Sequence, residues 1–272
     1  MNAQNILTDI SALSRSRSRA SDDGLFLHRA ALDEVEDRLS LVNRTFNKPA
    51  IVTGFPQVWG DLYPDAPVVA DTDTLLLDQS AHDLVVHGLG LHWANDPVGQ
   101  IIQSRRALEP DGLFLSVSFG GQTLNELRAC LAQAEAQITG GLSPRVAPMA
   151  ELRDIGGLLQ RAGLALPVAD SVTLRTEYRD IWHLMRDLRS MGEANAMQSR
   201  LRKPTRRAVF NAAGQLYQDN FATDTGRITA TFEMIFLAGW APSDSQPKPL
   251  RPGSAQQRLA DALATAETPL TD

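Results

Sequence analysis

From Leu25 onward the apolar residues Leu25, Leu32, Val35, Leu39 and Val42 recur at helical spacing, with Asp33, Glu34, Glu36 and Asp37 between them. This predicts an amphipathic helix ending near Asn43. The pattern then changes to short apolar runs: Pro49-Ala50-Ile51-Val52-Thr53-Gly54, Pro67-Val68-Val69-Ala70-Asp71 and Asp83-Leu84-Val85-Val86-His87-Gly88-Leu89. Each has strand length and β-branched residues, so each reads as a buried strand. Asn95-Asp96-Pro97 opens a helix to about Leu108, with Asp96 as N-cap and Pro97 at the first helical position. Glu109-Pro110-Asp111-Gly112 predicts a turn, and Leu113 to Phe119 a further strand. Strands alternating with helices predict a parallel, doubly wound α/β sheet.

After Gly120-Gly121 the pattern is mostly helical. Leu124, Leu127, Leu131, Ala134 and Ile138 share one helical face, which Gly140-Gly141-Leu142-Ser143-Pro144 breaks. Further helices are predicted over 152–162, with Gly163 as the stop, over 180–191 and over 204–221, and strands over 168–174 and 228–240. The expected organisation is a flexible N-terminal segment at 1–24, an α/β domain at 25–240 with a mainly helical insertion at about 122–222, and a tail at 241–272.

Composition narrows the function classes. The 272 residues suit one large domain or a domain with an appended lobe, and 43% hydrophobic with 21% charged residues is ordinary for a globular protein. Lys and Arg number 26 against 32 Asp and Glu, a net charge of −6, which does not supply the basic field that nucleic-acid binding needs. The single cysteine, Cys130, excludes an internal disulfide and a Cys-rich zinc or iron-sulfur site; on an apolar helical stripe it reads as core. No run reaches the roughly 18 apolar residues of a membrane span, and the first twenty residues lack a signal-peptide core. A soluble cytoplasmic protein is expected.

In open α/β sheets ligands sit at the carboxyl ends of the strands. That singles out Thr53-Gly54, Asp71, His87-Gly88-Leu89-Gly90 and Phe119-Gly120-Gly121. Gly88-Leu89-Gly90 lacks the third glycine of a dinucleotide fingerprint. His82, His87 and His92 are five apart, which suits neither a helical metal pair nor one strand face, so no metal site is expected. His92-Trp93 reads either as a ligand contact or as a packed aromatic beside a hydrogen-bonded histidine. Arg200, Arg202, Lys203, Arg206 and Arg207 form the strongest positive cluster, either a solvated helix start or a surface for an acidic partner. Arg202, Arg206 and Arg207 are the candidates for partner binding. Arg15, Arg17 and Arg19 alternate with serines and read as a solvated segment or as a phosphate or partner contact. Gly-x-Ser-x-Gly, His-Glu-x-x-His and Gly-x-x-x-x-Gly-Lys are absent, no carboxylate pair is spaced for acid/base work, and no catalytic residue is assigned.

The order of these pieces is familiar. Asp83-Leu84-Val85-Val86, Leu91-His92-Trp93-Ala94-Asn95-Asp96 and Leu108-Glu109-Pro110-Asp111-Gly112-Leu113-Phe114 resemble the middle strands of class I S-adenosylmethionine (SAM) methyltransferases. Within that superfamily the chain looks most like the branch that holds the malonyl-carrier-protein methyltransferase of biotin synthesis and the mitochondrial complex I assembly factor regarded as a protein-arginine hydroxylase. The assembly-factor likeness rests on Phe119-Gly120-Gly121-Gln122-Thr123-Leu124-Asn125-Glu126-Leu127-Arg128, Gly140-Gly141-Leu142-Ser143-Pro144-Arg145, Met191-Gly192-Glu193-Ala194-Asn195, Ala230-Thr231-Phe232-Glu233 through Gly239-Trp240, and Arg251-Pro252-Gly253-Ser254-Ala255. The resemblance implies a Rossmann-like fold, SAM as cofactor, and a role in assembly or maturation of respiratory complex I, acting on a protein partner such as a complex I subunit in a bacterial cytoplasm.

One departure bears on the cofactor. The family carries Asp-x-Gly-x-Gly-x-Gly after the first strand and an acidic residue after the second, whereas this first strand ends in Thr53-Gly54-Phe55-Pro56. Only 15 residues, Thr53 to Pro67, separate Val52 from Val68, too few for a glycine loop, a helix and a second strand. The fold is therefore expected to be abridged near its first strand. Gly54, Asp71, Gly88, Leu89 and His92 remain as cofactor-site candidates, with Asp71 matching the family's acidic residue near the adenine. SAM is expected to bind weakly or not at all. Two other readings stay open: an active SAM-dependent methyltransferase or hydroxylase of a protein or small molecule, and a non-catalytic interaction module.

Overall fold

A computed structural model describes residues 6–247. Its centre is one six-stranded sheet in the order β2-β1-β3-β4-β6-β5, formed by β1 (Pro49–Thr53), β2 (Val68–Val69), β3 (His82–Gly88), β4 (Leu108–Phe119), β5 (Ala165–Tyr178) and β6 (Ile228–Trp240). The first four strands are parallel to one another, while β6 runs antiparallel to both β4 and β5. The sheet is thus mixed, which corrects the all-parallel expectation. The α/β class and the abridgement hold: β1 and β2 are joined by one short helix, α3 (Pro56–Trp59), in place of a full crossover.

Helices cover both faces, and this explains the nearly continuous apolar strands. On one face Ile51, Leu84, Val86, Leu115, Val117 and Phe232 pack under α2 (Phe26–Leu41), α5 (Asn125–Thr139), α7 (Ile181–Ser190) and α8 (Arg207–Phe221). On the other, Ala50, Val52, Val85, Phe114 and Leu237 pack under α4 (Pro97–Ala107) and α6 (Leu152–Arg161). Asp96 caps α4 as predicted, accepting from the Gly99 amide at 2.8 Å. Cys130 is buried in the first of these cores, and burial pushes its thiol up to about 11, so it is not a thiolate.

Several expectations change in detail. Glu109 to Gly112 do not form a turn but a bulge inside β4: pairing passes from His82↔Leu108 to Leu84↔Leu113, and Asp111 takes φ +64°. The bulge survives because Asp111 and Gly112 pair with Ala241 beyond β6, so the segment still has ladder partners. Within 122–222, the strand predicted at 168–174 extends to the 14-residue β5, which forms the edge of the sheet against the whole of β6. Helix α8 opens at Arg207, three residues after the predicted start. Within the segment expected to be flexible, residues 10–17 form helix α1 (Ile10–Arg17), with Asp9 as its cap and Leu13 buried.

Residues up to Pro242 make one compact unit and those from Ser243 a second, of which the described part is a turn closed from the Gln246 amide to the Ser243 carbonyl. Arg251 to Ala255 lie outside the described residues. Among the described residues no helix is long and apolar enough to cross a membrane, and no group of His, Cys, Asp and Glu is arranged to hold a metal.

Candidate functional site

The carboxyl ends of β1, β2 and β3 meet where the topology predicts a ligand crevice, and a side chain of the protein itself enters it. Arg17, the last residue of α1, donates from Nη1 and Nη2 to the two oxygens of Asp71 at 2.7 and 2.8 Å. Both side chains are nearly withdrawn from solvent, at 11% and 6% exposure. The guanidinium lies against Gly54, where a Cβ would fall inside it, and its carbon is 5.5 Å from the centroid of the Phe55 ring. Burial pulls the Asp71 carboxyl upward, but the Arg17 fork outweighs burial and leaves it below the usual carboxylate range.

Gln100 on α4 fixes the loop after β2. Its Nε2 donates to the Asp71 and Thr72 carbonyls, so its Oε1 must accept, and His87 Nε2, 2.8 Å away, is the donor. Burial lowers His87. His28 on α2 accepts at Nδ1 from Trp59 Nε1 at 3.1 Å, and its ring lies tilted against Phe55 with centroids 4.1 Å apart; burial lowers it to about 4. Trp59 in turn covers Gly88, leaving no room for a Cβ at the end of β3. Leu89 follows with φ +47°, a strained conformation for a branched residue, held by its amide to the Val117 carbonyl and by complete burial of its side chain.

Glu193, in the loop after α7, closes the far side. Its Oε2 accepts from Trp93 Nε1 at 2.7 Å and lies 3.3 Å from His92 Nε2, and the His92 ring packs edge-on against Phe119. Burial opposes its charge, yet His92, Arg17 and His28 keep the carboxyl below its ordinary value. Its second oxygen, Oε1, is buried without a partner, as are Arg17 Nε, His28 Nε2, His87 Nδ1 and His92 Nδ1. Glu193 also borders a cavity of about 220 Å³ with a largely apolar wall that includes Trp93, Phe119, Leu127, Met185, Phe210 and Phe232. Arg145 and Arg189 line it as well; Arg145 is bound to Glu135 at 2.6 Å and to Thr205.

The candidates from sequence divide accordingly. Gly54 and Asp71 do come together, around Arg17 and not around an open space. Gly88 supports Trp59, Leu89 is core, and His92 is hydrogen-bonded to Glu193 and packed on Phe119. Sequence pattern alone does not mark Arg17 and Glu193 as site residues. The Ser-Arg alternation at 14–19 and the Met191-Gly192-Glu193 run were their only signals. Of the partner-binding candidates, Arg202 pairs with Asp9 at 3.3 Å, beside Arg200 at 2.9 Å, whereas Arg206 and Arg207 stand exposed at the start of α8.

These residues do not fit SAM as they stand. The carboxylate nearest the crevice is taken up by Arg17, a single glycine followed by Phe55-Pro56 replaces the open turn, and the guanidinium fills the approach to Gly54.

No protein-family model matches the chain. The arginine-hydroxylase NDUFAF5, mitochondrial, of Danio rerio is 36% identical over 198 residues, which is 73% of this chain and 61% of that protein. The malonyl-[acyl-carrier protein] O-methyltransferase of a Methylovorus strain is 33% identical over 175 residues, 64% of this chain and 56% of that protein. The chain therefore spans little more than half the length of these curated relatives. Among solved structures, the YcgJ protein of Bacillus subtilis aligns with TM-score 0.48 and 11% identity over 78% of this chain and 99% of its own.

Proposed function

We propose that this chain, a relative of the NDUFAF5 arginine-hydroxylases and of the malonyl-carrier-protein methyltransferases in the class I SAM-dependent methyltransferase superfamily, is an assembly or maturation factor for respiratory complex I that acts on a side chain of a protein partner. One observation carries the reading: Glu193, whose second carboxylate oxygen is buried without a partner, borders a cavity of about 220 Å³. A buried carboxylate oxygen without a donor is costly, and a cationic or hydrogen-bond-donating group that reached it from the cavity would relieve that cost. The relatives' printed name points to an arginine side chain, whose aliphatic stem and guanidinium match the wall and the carboxylate. A bacterial cytoplasmic setting, with one buried and unreactive cysteine, belongs to the same proposal.

The test is capture of identified complex I subunits by the purified full chain. Glu193→Gln keeps shape and loses charge, and is expected to reduce capture at least tenfold while the protein stays folded. Undiminished capture would remove Glu193 from the account. The exposed Arg206 and Arg207 supply a second arm. Positive charge there opposes the dipole of α8 by roughly a few tenths of a kcal/mol each, so Arg206→Gln with Arg207→Gln is expected to leave stability unchanged or slightly raised while slowing capture at low salt. Salt-insensitive, unchanged capture counts against the patch. SAM is expected to bind the wild type with a dissociation constant above about 100 μM by calorimetry, because preorganisation that would offset the ordering cost is missing. Single-digit micromolar binding would favour a working SAM-dependent enzyme.

A further inference from the structure

We propose that the crevice at the carboxyl ends of β1 and β2 is a guanidinium-binding site whose occupant is the chain's own Arg17. The inference goes beyond the reading above and stands without it, since it concerns Asp71 and α1, not the cavity at Glu193.

Four features make a site of this place and not merely a salt bridge. The Arg17 fork meets both carboxylate oxygens of Asp71 in parallel, at 2.7 and 2.8 Å, the arrangement that distinguishes guanidinium from ammonium. Gly54 removes the side chain that would block the group, and the Phe55 ring lies within cation–π range. Asp71 is held in position from behind, its own carbonyl accepting from Gln100. The crevice lies at the strand ends, where open α/β sheets place ligands. A pair serving only stability would be a poor choice here, because desolvating two charges offsets much of their attraction and Arg17 Nε is left buried without a partner.

The occupant arrives on a segment clipped in place. The Leu7 and Thr8 amides donate to Asn95 Oδ1, the Asp9 amide donates to the Ala196 carbonyl, and the Asp9 carboxylate holds Arg200. With α1 docked, neither SAM nor a guanidinium from another molecule can reach Asp71. Entry requires α1 to leave.

Chemical rescue tests this directly. In the full chain, Arg17→Ala is expected to lower the melting temperature by roughly 10 °C, since it strands a buried carboxylate. Millimolar ethylguanidinium is expected to recover at least a third of that loss. Ethylammonium at the same concentration is expected to recover none, and the double variant Arg17→Ala with Asp71→Asn should not respond. Absence of rescue, equal rescue by both cations, or rescue in the double variant would each overturn the proposal. Should Arg17→Ala not fold, Arg17→Lys decides: an ammonium cannot form the fork, so a melting temperature equal to that of the wild type overturns it, and a clear reduction supports it.

Discussion

Acidification from pH 6.5 to about 4 is expected to cost the protein about 3 kcal/mol through His28 alone. The ring is buried, its Nδ1 accepts from Trp59, and desolvation lowers it from the ordinary 6.5 to about 4. A histidine lowered in the folded state contributes stability that is complete above its unfolded value. Below that value the unfolded chain takes up a proton that the folded chain refuses, until the folded value is reached. His87, also lowered by burial, adds to the same slope, whereas Asp71 and Glu193, both held below ordinary carboxylate values, begin to lose their contributions only near the acid end of this window and below it. The check is urea unfolding across this window with His28→Asn, which can keep an acceptor near Trp59 and cannot be protonated. The variant should be less stable than wild type at neutral pH, yet flatter by about 3 kcal/mol between pH 6.5 and 4. An unchanged slope would show that the acid sensitivity lies elsewhere.

The elements legible in the sequence were those whose pattern and local chemistry agree. Asp96-Pro97 capped its helix as read, and the runs at 49–53 and 83–88 became central strands because both faces of the sheet are covered. The shortage of residues between Val52 and Val68 correctly foretold an abridged crossover, a matter of chain length and not of propensity. The rest depends on contacts distant in sequence. Glu109 to Gly112 have turn chemistry, but pairing with Ala241, some 130 residues on, absorbs them into a strand. The Arg17–Asp71 pair joins residues 54 positions apart, and Glu193 meets Trp93 from 100 positions away. No periodicity reports such a meeting. Arg17 in particular sits among serines and arginines that read as solvated, and only the glycine at 54 makes room for it.

Trp59→Ala is expected to lower the melting temperature by roughly 10 °C, corresponding to about 4 kcal/mol, and yet not to create a SAM site. Trp59 is wholly buried on α3, the four-residue helix that stands where a full crossover would be. Its ring lies on Gly88, and its Nε1 is the donor to His28 Nδ1, so truncation leaves both a cavity at the end of β3 and a buried acceptor without a partner. Free volume alone does not make a cofactor site. The turn after β1 would still be Gly54-Phe55-Pro56, and Asp71 would still be held by Arg17. Calorimetry on the variant should therefore again give a dissociation constant for SAM above about 100 μM, because the missing terms are preorganised backbone and a free carboxylate, not space. Micromolar binding to Trp59→Ala would show that bulk was the only barrier, and that the abridged crossover still retains the contacts a cofactor needs.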